Sequence, residues 1–574
     1  MKTNPFKDEF KEFLLLVRHF LLRLFQNDIM KFENQRRENL VLLLTFFSIA
    51  GCLGAGVILF PYLRSQPGYT SETVWVEKTF FMTICMAFTG IIAVLNWDNM
   101  FMDEKDFLNL SVLPVKTSTL FTAKFFSLLV FAGLLSLSLN LFPILIFTFF
   151  LGDIINVDPF FRVSMLQFGI VHIISSFLAN LFVFMLVAFI QGILMIILNT
   201  RLFKKMSIVF QTLLLAGFIS CFTWFPRVAP HLITMKEKNP TFFYYFPPAW
   251  FVGFYEQLIG NYDILFKNLL YIAPVAVTLL VDAYILMIPH GFNRFSRPVS
   301  GTRPVTFFPG AAEWLKKHFH AVFLKHALQR AVFYFVLSTL RRSRKHKFQL
   351  AVYIIFPLAF IITELIARSL DSGIQFFQET NFFMCSIPFI LYFFLVWGIR
   401  VVVMHPVSVD ASWAFLIAEG DYPVHYIWGL KKAAIVIGIL FCFIPLLLFY
   451  SVCWGFIPGL LYSLYSGITA FLLLELFFFS YSKLPFVSAY IPGKFLMKYI
   501  WPLYLMIFTL FVYLFTRIGI YLITFPAAYF FYYGAAATDI YWVRRLRYKR
   551  YRGFRFVFDE EPEPVMTGLG FDAE

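Results

Sequence analysis

Asp103, Glu104 and Asp106 fall within four residues of one another, with Lys105 between them. Carboxylates at that spacing could hold a divalent cation, as a membrane transferase does for a sugar-nucleotide substrate. The lysine in their midst supports the opposing reading, a solvated, lysine-paired run at a membrane surface. His318, His320 and His326 form a second group. Zinc needs convergent ligands in a closed shell, and the neighbouring Lys317 and Lys325 oppose a cation there, so contact with headgroups or a partner is expected instead. Cys52, Cys85, Cys221, Cys385, Cys442 and Cys453 include no C-x-x-C pair and lie in or beside apolar runs, which reads as small buried hydrophobes. The sequence has no G-x-x-x-x-G-K-[ST] stretch to cradle phosphates, and the glycines between Gly51 and Gly56 belong to an apolar run. If ATP and Mg2+ are used, another polypeptide binds them. No catalytic, cofactor or metal residue is assigned to this chain.

Three acids interrupt apolar runs: Asp282, Glu364 and Glu475. An unpaired charge near mid-bilayer costs roughly 2.5–3.5 kcal/mol on insertion scales, so each must pair, snorkel or line a translocation path. Asp282 and Glu475 are predicted toward the inner ends of their spans and Glu364 toward an outer end. Asn140, Asn180 and Gln191 read as groups that hydrogen-bond between helices.

The elements that must position these groups are membrane spans. Hydrophobic residues make up 60% of the 574, charged residues only 14%, and the mean hydropathy is +0.75. Apolar runs near the ~20 residues needed to cross hydrocarbon recur along the chain. They fall at 40–63, 79–97, 125–151, 165–198, 206–225 and 264–289, then at 350–367, 381–404, 433–454, 457–481, 499–516 and 521–542. The 79 Phe residues sit in continuous runs with no period of two, which excludes a barrel. The expected fold is an all-α polytopic membrane protein of about twelve transmembrane helices. Two parallel six-helix units, 39–289 and 348–542, are expected, with amphipathic interfacial helices on the cytoplasmic side.

The net charge of +15 lies in connectors, as the positive-inside rule requires, and implies anionic headgroups rather than nucleic acid. The connector 290–347 sets twelve Lys and Arg residues against one acid, Glu313, and the tail 543–574 opens with Arg544, Arg545 and Arg547. An even span count then puts both termini in the cytoplasm with that connector. Residues 1–38 carry no cleavable signal. They place Phe6, Phe10, Phe13, Leu14, Val17, Phe20, Leu21, Leu24 and Phe25 at helical spacing, which makes an interfacial helix or a helix packed on a cytosolic partner. The halves repeat loosely. Arg36-Arg37 and Arg341-Arg342 precede the first spans, acid-bearing loops end at Lys124 and Lys431, and Pro143 and Pro445 interrupt the third spans.

Two loops carry further expectations. After Asp106, the first passes through Leu110 and Leu113, breaks at Pro114 and leads through Val115 to Lys124, with Thr117 or Ser118 placed to cap the next helix. The connector before the sixth span holds Pro247, Pro248, Trp250 and Phe251 in a long aromatic run, which is either an interfacial belt or a re-entrant outer gate. The matching connector of the second half, from Arg517 to Phe525, is much shorter.

The first loop resembles that of permeases of type-2 ATP-binding-cassette (ABC) exporters, in which an acid and a leucine-rich turn precede "L-P-[VI]" and then "A-K". Here these are Asp106, Leu110, Leu113, Pro114, Val115, Ala123 and Lys124. The entry to the second half, from His326 to His346, and the tail, from Phe558 to Val565 with Leu569 and Gly570, are similar to large two-unit bacterial members. The resemblance implies a transport subunit of the bacterial cytoplasmic membrane, not itself an enzyme. One chain would supply both units, two copies of a P-loop ATPase would drive it, and ATP and Mg2+ would sit on those partners. Coupling helices are implied near 97–124 and 405–432. The second loop, with Asp410, Trp413, Glu419, Asp421 and Lys431, lacks the leucine-rich turn, and Tyr422-Pro423-Val424 stands where "L-P-V" belongs. The few buried charges suggest a lipidic or amphipathic substrate. Two rivals stay open: an ion-coupled secondary carrier, and a transferase acting on lipid-linked substrates.

Overall fold

The computed structural model describes residues 5–25, 44–56, 74–102, 106, 110, 112, 115–151, 165–261, 263–293, 320, 323–373, 375–407, 423–479, 481, 483–487 and 497–550. Among them there is no strand, and ten helical runs are long and apolar enough to cross a membrane. With every backbone group of a span satisfied inside its own helix, this is an all-α multi-pass membrane protein. The chain forms two compact units, Met1–Gly301 and Thr302–Glu574, each holding five of the ten.

The first unit contains α1 (Pro5–Phe25), α2 (Leu44–Gly56), α3 (Val74–Leu95), α4 (Thr117–Asn140), α5 (Met165–Ile197), α6 (Thr200–Val228), α7 (Pro247–Ile259) and α8 (Ile272–Asn293). Its central post is α5, which touches α3, α4, α7 and α8. Phe184, Met185, Val187 and Ala188 of α5 are wholly covered. By contrast, Leu213 of α6 and Val275, Leu279 and Leu286 of α8 are more than half exposed. In water such a surface would be a liability, whereas in hydrocarbon it faces lipid tails. α4 stops at Asn140 because Pro143 has no N–H to continue the ladder, and a turn at Pro143–Ile146 passes into π-helical Phe147–Leu151. α2 crosses that break at Gly51, where the Leu139 carbonyl leaves no room for a Cβ.

The second unit contains α9 (Ala327–Arg342), α10 (Arg344–Ser372), α11 (Phe382–Met404), α12 (Pro423–Ala434), α13 (Phe441–Trp454), α14 (Phe456–Phe477), α15 (Met497–Thr524) and α16 (Ala528–Arg550). π-helical Ile435–Leu440 joins α12 to α13. The central post here is α11, which touches α10, α14 and α15 and buries Cys385, Phe389, Tyr392, Phe393 and Val396. The two units share an internal packing order. An amphipathic helix lies on the head of the third span (α1 on α4, α9 on α12), the second span meets the fourth and fifth, and the fourth meets the last.

Several expectations need correcting. Neither Thr117 nor Ser118 caps α4, because the helix already begins at Thr117 and the cap position is Lys116, which makes no side-chain cap. The first span is described only over Leu44–Gly56, and the charged end of α16 keeps it out of the ten membrane-length runs. The connector expected at Arg517 to Phe525 is helix as far as Thr524. Arg517 does not end the span because its guanidinium lies over the rings of Tyr513 and Phe382, at 5.4 and 5.8 Å. The break waits for Pro526, in the turn before α16.

Candidate functional site

In the first unit, α1 presents Leu16 and Phe20 to Met102, Leu120 and Ala123, a buried cluster ringed by Phe13, Val17, Leu110, Val115 and Phe121. Charged contacts hold the helix at both ends. Arg23 donates to the carboxylate of Asp106, whose side chain is 4% exposed against 28% for the arginine. Lys116 meets Glu9 at 2.8 Å in the open, and the hydrogen bond and charge of Glu9 hold the Lys116 ammonium above its ordinary range. Lys124 is buried at the head of α4, with its ammonium 4.8 Å from the Phe20 ring centre. The loop residues Asp106, Leu110 and Val115 therefore share one joint with Lys124 and α1. Asp103, Glu104, Leu113 and Pro114 lie outside the described residues.

The second unit builds a similar joint from other chemistry. α9 buries Val332, Phe333, Val336 and Leu340 against Tyr426, Ile427 and Leu430. The helices approach closely because position 429 is glycine: a Cβ there would stand 2.8 Å from the Gln329 carbonyl oxygen and 2.9 Å from the Val332 Cβ. Gln329 hydrogen-bonds a His425 ring nitrogen at 3.0 Å, and Lys432 donates to Gln329 Oε1 at 2.7 Å and to the Phe323 carbonyl at 2.6 Å. Lys431 turns the other way into a buried pair with Glu475, at 3.0 Å. Asp410, Trp413, Glu419 and Asp421 lie outside the described residues.

At the opposite end of the first unit, α7 runs back along α5. Trp250 and Phe251 meet Phe182, near the middle of α5, at 5.7 and 5.5 Å. Farther along, Tyr255 meets His172, and the Leu258 carbonyl accepts from Gln167 near the start of α5. α7 thus begins deep inside the unit. Pro247 and Pro248 occupy its first turn, so two of the N–H groups that a helix start leaves unsatisfied do not exist there. Trp250 Nε1 donates to the Tyr244 carbonyl, which closes the turn that precedes α7.

Against α7 lies a polar line whose interhelical Asn140 and Asn180 the sequence marked and whose charged pair it did not. Lys78 of α3 and Glu256 of α7 form a buried pair at 2.6 Å, with Asn261 donating to the second carboxylate oxygen at 3.0 Å. The Lys78 ammonium also faces the rings of Tyr255 and Phe168, at 4.4 and 5.2 Å. Deeper in, His172 contacts Asn140 at 3.2 Å, Asn180 donates to Ser136 at 2.9 Å, and Thr89 donates to Asn180 at 2.9 Å. Of the three intramembrane acids, Glu475 is paired as above, Glu364 meets Arg368 one turn along at 3.3 Å, and Asp282 is exposed on α8. His320 contacts the Tyr334 hydroxyl at 2.6 Å. His318 is outside the described residues, and among those described no three His, Cys, Asp or Glu residues converge on a metal position. Compared with known protein families, curated proteins and solved structures, the chain matches none.

Proposed function

We propose that this chain is the membrane-spanning permease of an ABC exporter, carrying a lipidic or amphipathic substrate across a bacterial cytoplasmic membrane. It spans about twelve times as two parallel six-helix units, with both termini and the basic connector inside the cell. Two copies of a separate ATPase deliver force to the inner ends of the third spans. The observation that carries this reading is the clamped joint at the head of each third span. In one, Arg23 and Asp106 fasten α1 across the loop to α4, and in the other Gln329 and Lys432 fasten α9 to α12. A surface loop that served topology alone would have no use for a buried carboxylate tied to an arginine of another helix, and a lever does, because a push on the loop must reach the span without slack. At the outer end, the deep start of α7 with Pro247, Pro248, Trp250 and Phe251 suits a gate over the exit. Gentle solubilisation of the tagged chain is expected to bring down a P-loop ATPase at two copies per chain. Substitutions at Leu113 and Pro114 are expected to abolish substrate-stimulated hydrolysis while insertion persists.

The buried Lys78–Glu256 pair beside His172 favours the second reading, an ion-coupled carrier, because ionisable groups inside spans are typical of proton and sodium pathways. Purified chain in liposomes that moves substrate on an ion gradient alone, with no ATPase present, would establish that reading and end the first.

A further inference from the structure

Around the head of α12, cations gather without acids to match among the described residues. Neither α9 nor α12 contains a carboxylate. Lys432 uses two of its three N–H groups on Phe323 and Gln329, and Lys325 and Arg544 both lie close enough to repel its charge. The Arg544 guanidinium is held over the rings of Trp428 and Phe471, at 5.3 and 5.8 Å. Those rings fix its position and leave its N–H edge for another partner. His326 stands beside His425 with ring centres 4.3 Å apart, adding a fourth donor-bearing group. Glu475 is engaged by Lys431, and Asp539 precedes Arg544 on α16.

Held like charges destabilise a fold unless an anion sits among them. The level in the membrane is also set: His425 opens the membrane-length run His425–Trp454, and Tyr541 and Trp542 are exposed near Arg544, as aromatic residues are at headgroup depth. We infer that the corner between α9 and α12, which Arg544 of α16 reaches over Trp428, binds the phosphate group of an anionic phospholipid, with Lys325, Lys432 and Arg544 as its ligands. Lys and Arg give phosphate oxygens short charge-assisted hydrogen bonds, and basic pockets between spans at a membrane face are where such headgroups lodge. The inference concerns the second unit alone and does not depend on what the chain transports.

The test uses the full chain, delipidated in mild detergent and titrated separately with short-chain phosphatidylglycerol, phosphatidylcholine and inorganic phosphate, with occupancy read by native mass spectrometry. Phosphatidylglycerol is expected to bind saturably and phosphatidylcholine not to compete. Replacing Lys325→Gln and Arg544→Gln together should weaken binding about thirtyfold, since each surface cation contributes roughly fivefold to holding an anionic lipid. Lys11→Gln with Arg18→Gln, exposed cations of α1, should leave binding unchanged. Should the double variant fail to fold, the exposed single variant Lys325→Gln is expected to show the fivefold loss. Equal losses from both pairs, or none from either, would overturn the site. Occupancy by inorganic phosphate that phosphatidylglycerol cannot displace would overturn the lipid as its source.

Discussion

Replacing Lys78 with Met is the sharpest perturbation that the first unit offers. It leaves Glu256, whose side chain is 6% exposed, with only the Asn261 amide as a partner. A buried charge that loses its counter-ion costs about 3–5 kcal/mol, and the remaining hydrogen bond places this one near the lower end. Glu256→Gln is the milder change. The glutamine oxygen still accepts from Lys78, and two ring faces at 4.4 and 5.2 Å soften the uncompensated ammonium, so a loss of about 2–3 kcal/mol is expected. Combined, the changes leave no charge in the site, and the double variant should lie within about 1 kcal/mol of the parent, because neutral side chains of similar volume often replace a buried pair without loss. The assay is a double-mutant cycle on unfolding in mild detergent, with helicity and a fluorescence probe in α7 followed together. If the losses simply add, the two residues do not share one dry site and the account of α7 anchored by this pair is wrong.

Arg23→Ala should remove one charged partner of the buried Asp106 carboxylate, cost about 1–3 kcal/mol locally, and expose residues 5–25 to faster hydrogen exchange; unchanged exchange would mean that the pair does not hold α1. Gly429→Ala should push α9 off α12 at a cost of about 1–3 kcal/mol, whereas Gly217→Ala, in open space on α6, should gain about 0.5–1 kcal/mol, both read by thermal unfolding. Burial raises the carboxyl of Asp263, but the ammonium of Lys236 at 2.6 Å and the Leu265 N–H bring it to a net position below its ordinary range. Its stabilising charge is therefore complete above the usual carboxylate range near pH 4 and is lost as pH falls through and below it. Asp263→Asn, which keeps the helix cap, should be less stable than the parent at pH 7 and equal to it near pH 2; a difference that persists in acid would refute the charge argument.

Much of this architecture was legible because membrane spans announce themselves by length and apolarity, and because Lys124, Lys431 and Glu475 stand out as charges at or inside apolar runs. Their partners were not legible. Lys78 falls one residue before the span expected to start at 79, and its carboxylate lies 178 residues away in a connector that reads as aromatic belt or gate. Asp106 belongs to an acid cluster that suggested solvation, yet it is buried, because Arg23 reaches it from a helix 83 residues earlier whose pattern pointed to lipid. Arg517 read as the end of a span because a charge is costly there, and two aromatic faces remove most of that cost. In each case composition located an expense, and only tertiary packing showed what offsets it.

Where the two units could yield under force follows from how their helices are built. Each third span is the one gripped by an amphipathic helix, and each combines a proline with a π turn. Pro143 and the π turn Phe147–Leu151 follow α4, while the π turn Ile435–Leu440 and Pro445 follow α12. α11 contains a proline too, Pro388, which frees the carbonyl of Met384 one turn earlier. There the Tyr450 hydroxyl donates to Met384 at 2.7 Å and the Tyr462 hydroxyl donates to Cys385, so the broken ladder is braced from two neighbouring helices. A push at the head of the second unit's third span therefore meets soft turns in that span and a braced central post beside it. Under the proposed function the third span of the second unit would bend while α11 holds its line, a division of labour that follows from where the Tyr450 and Tyr462 hydroxyls stand.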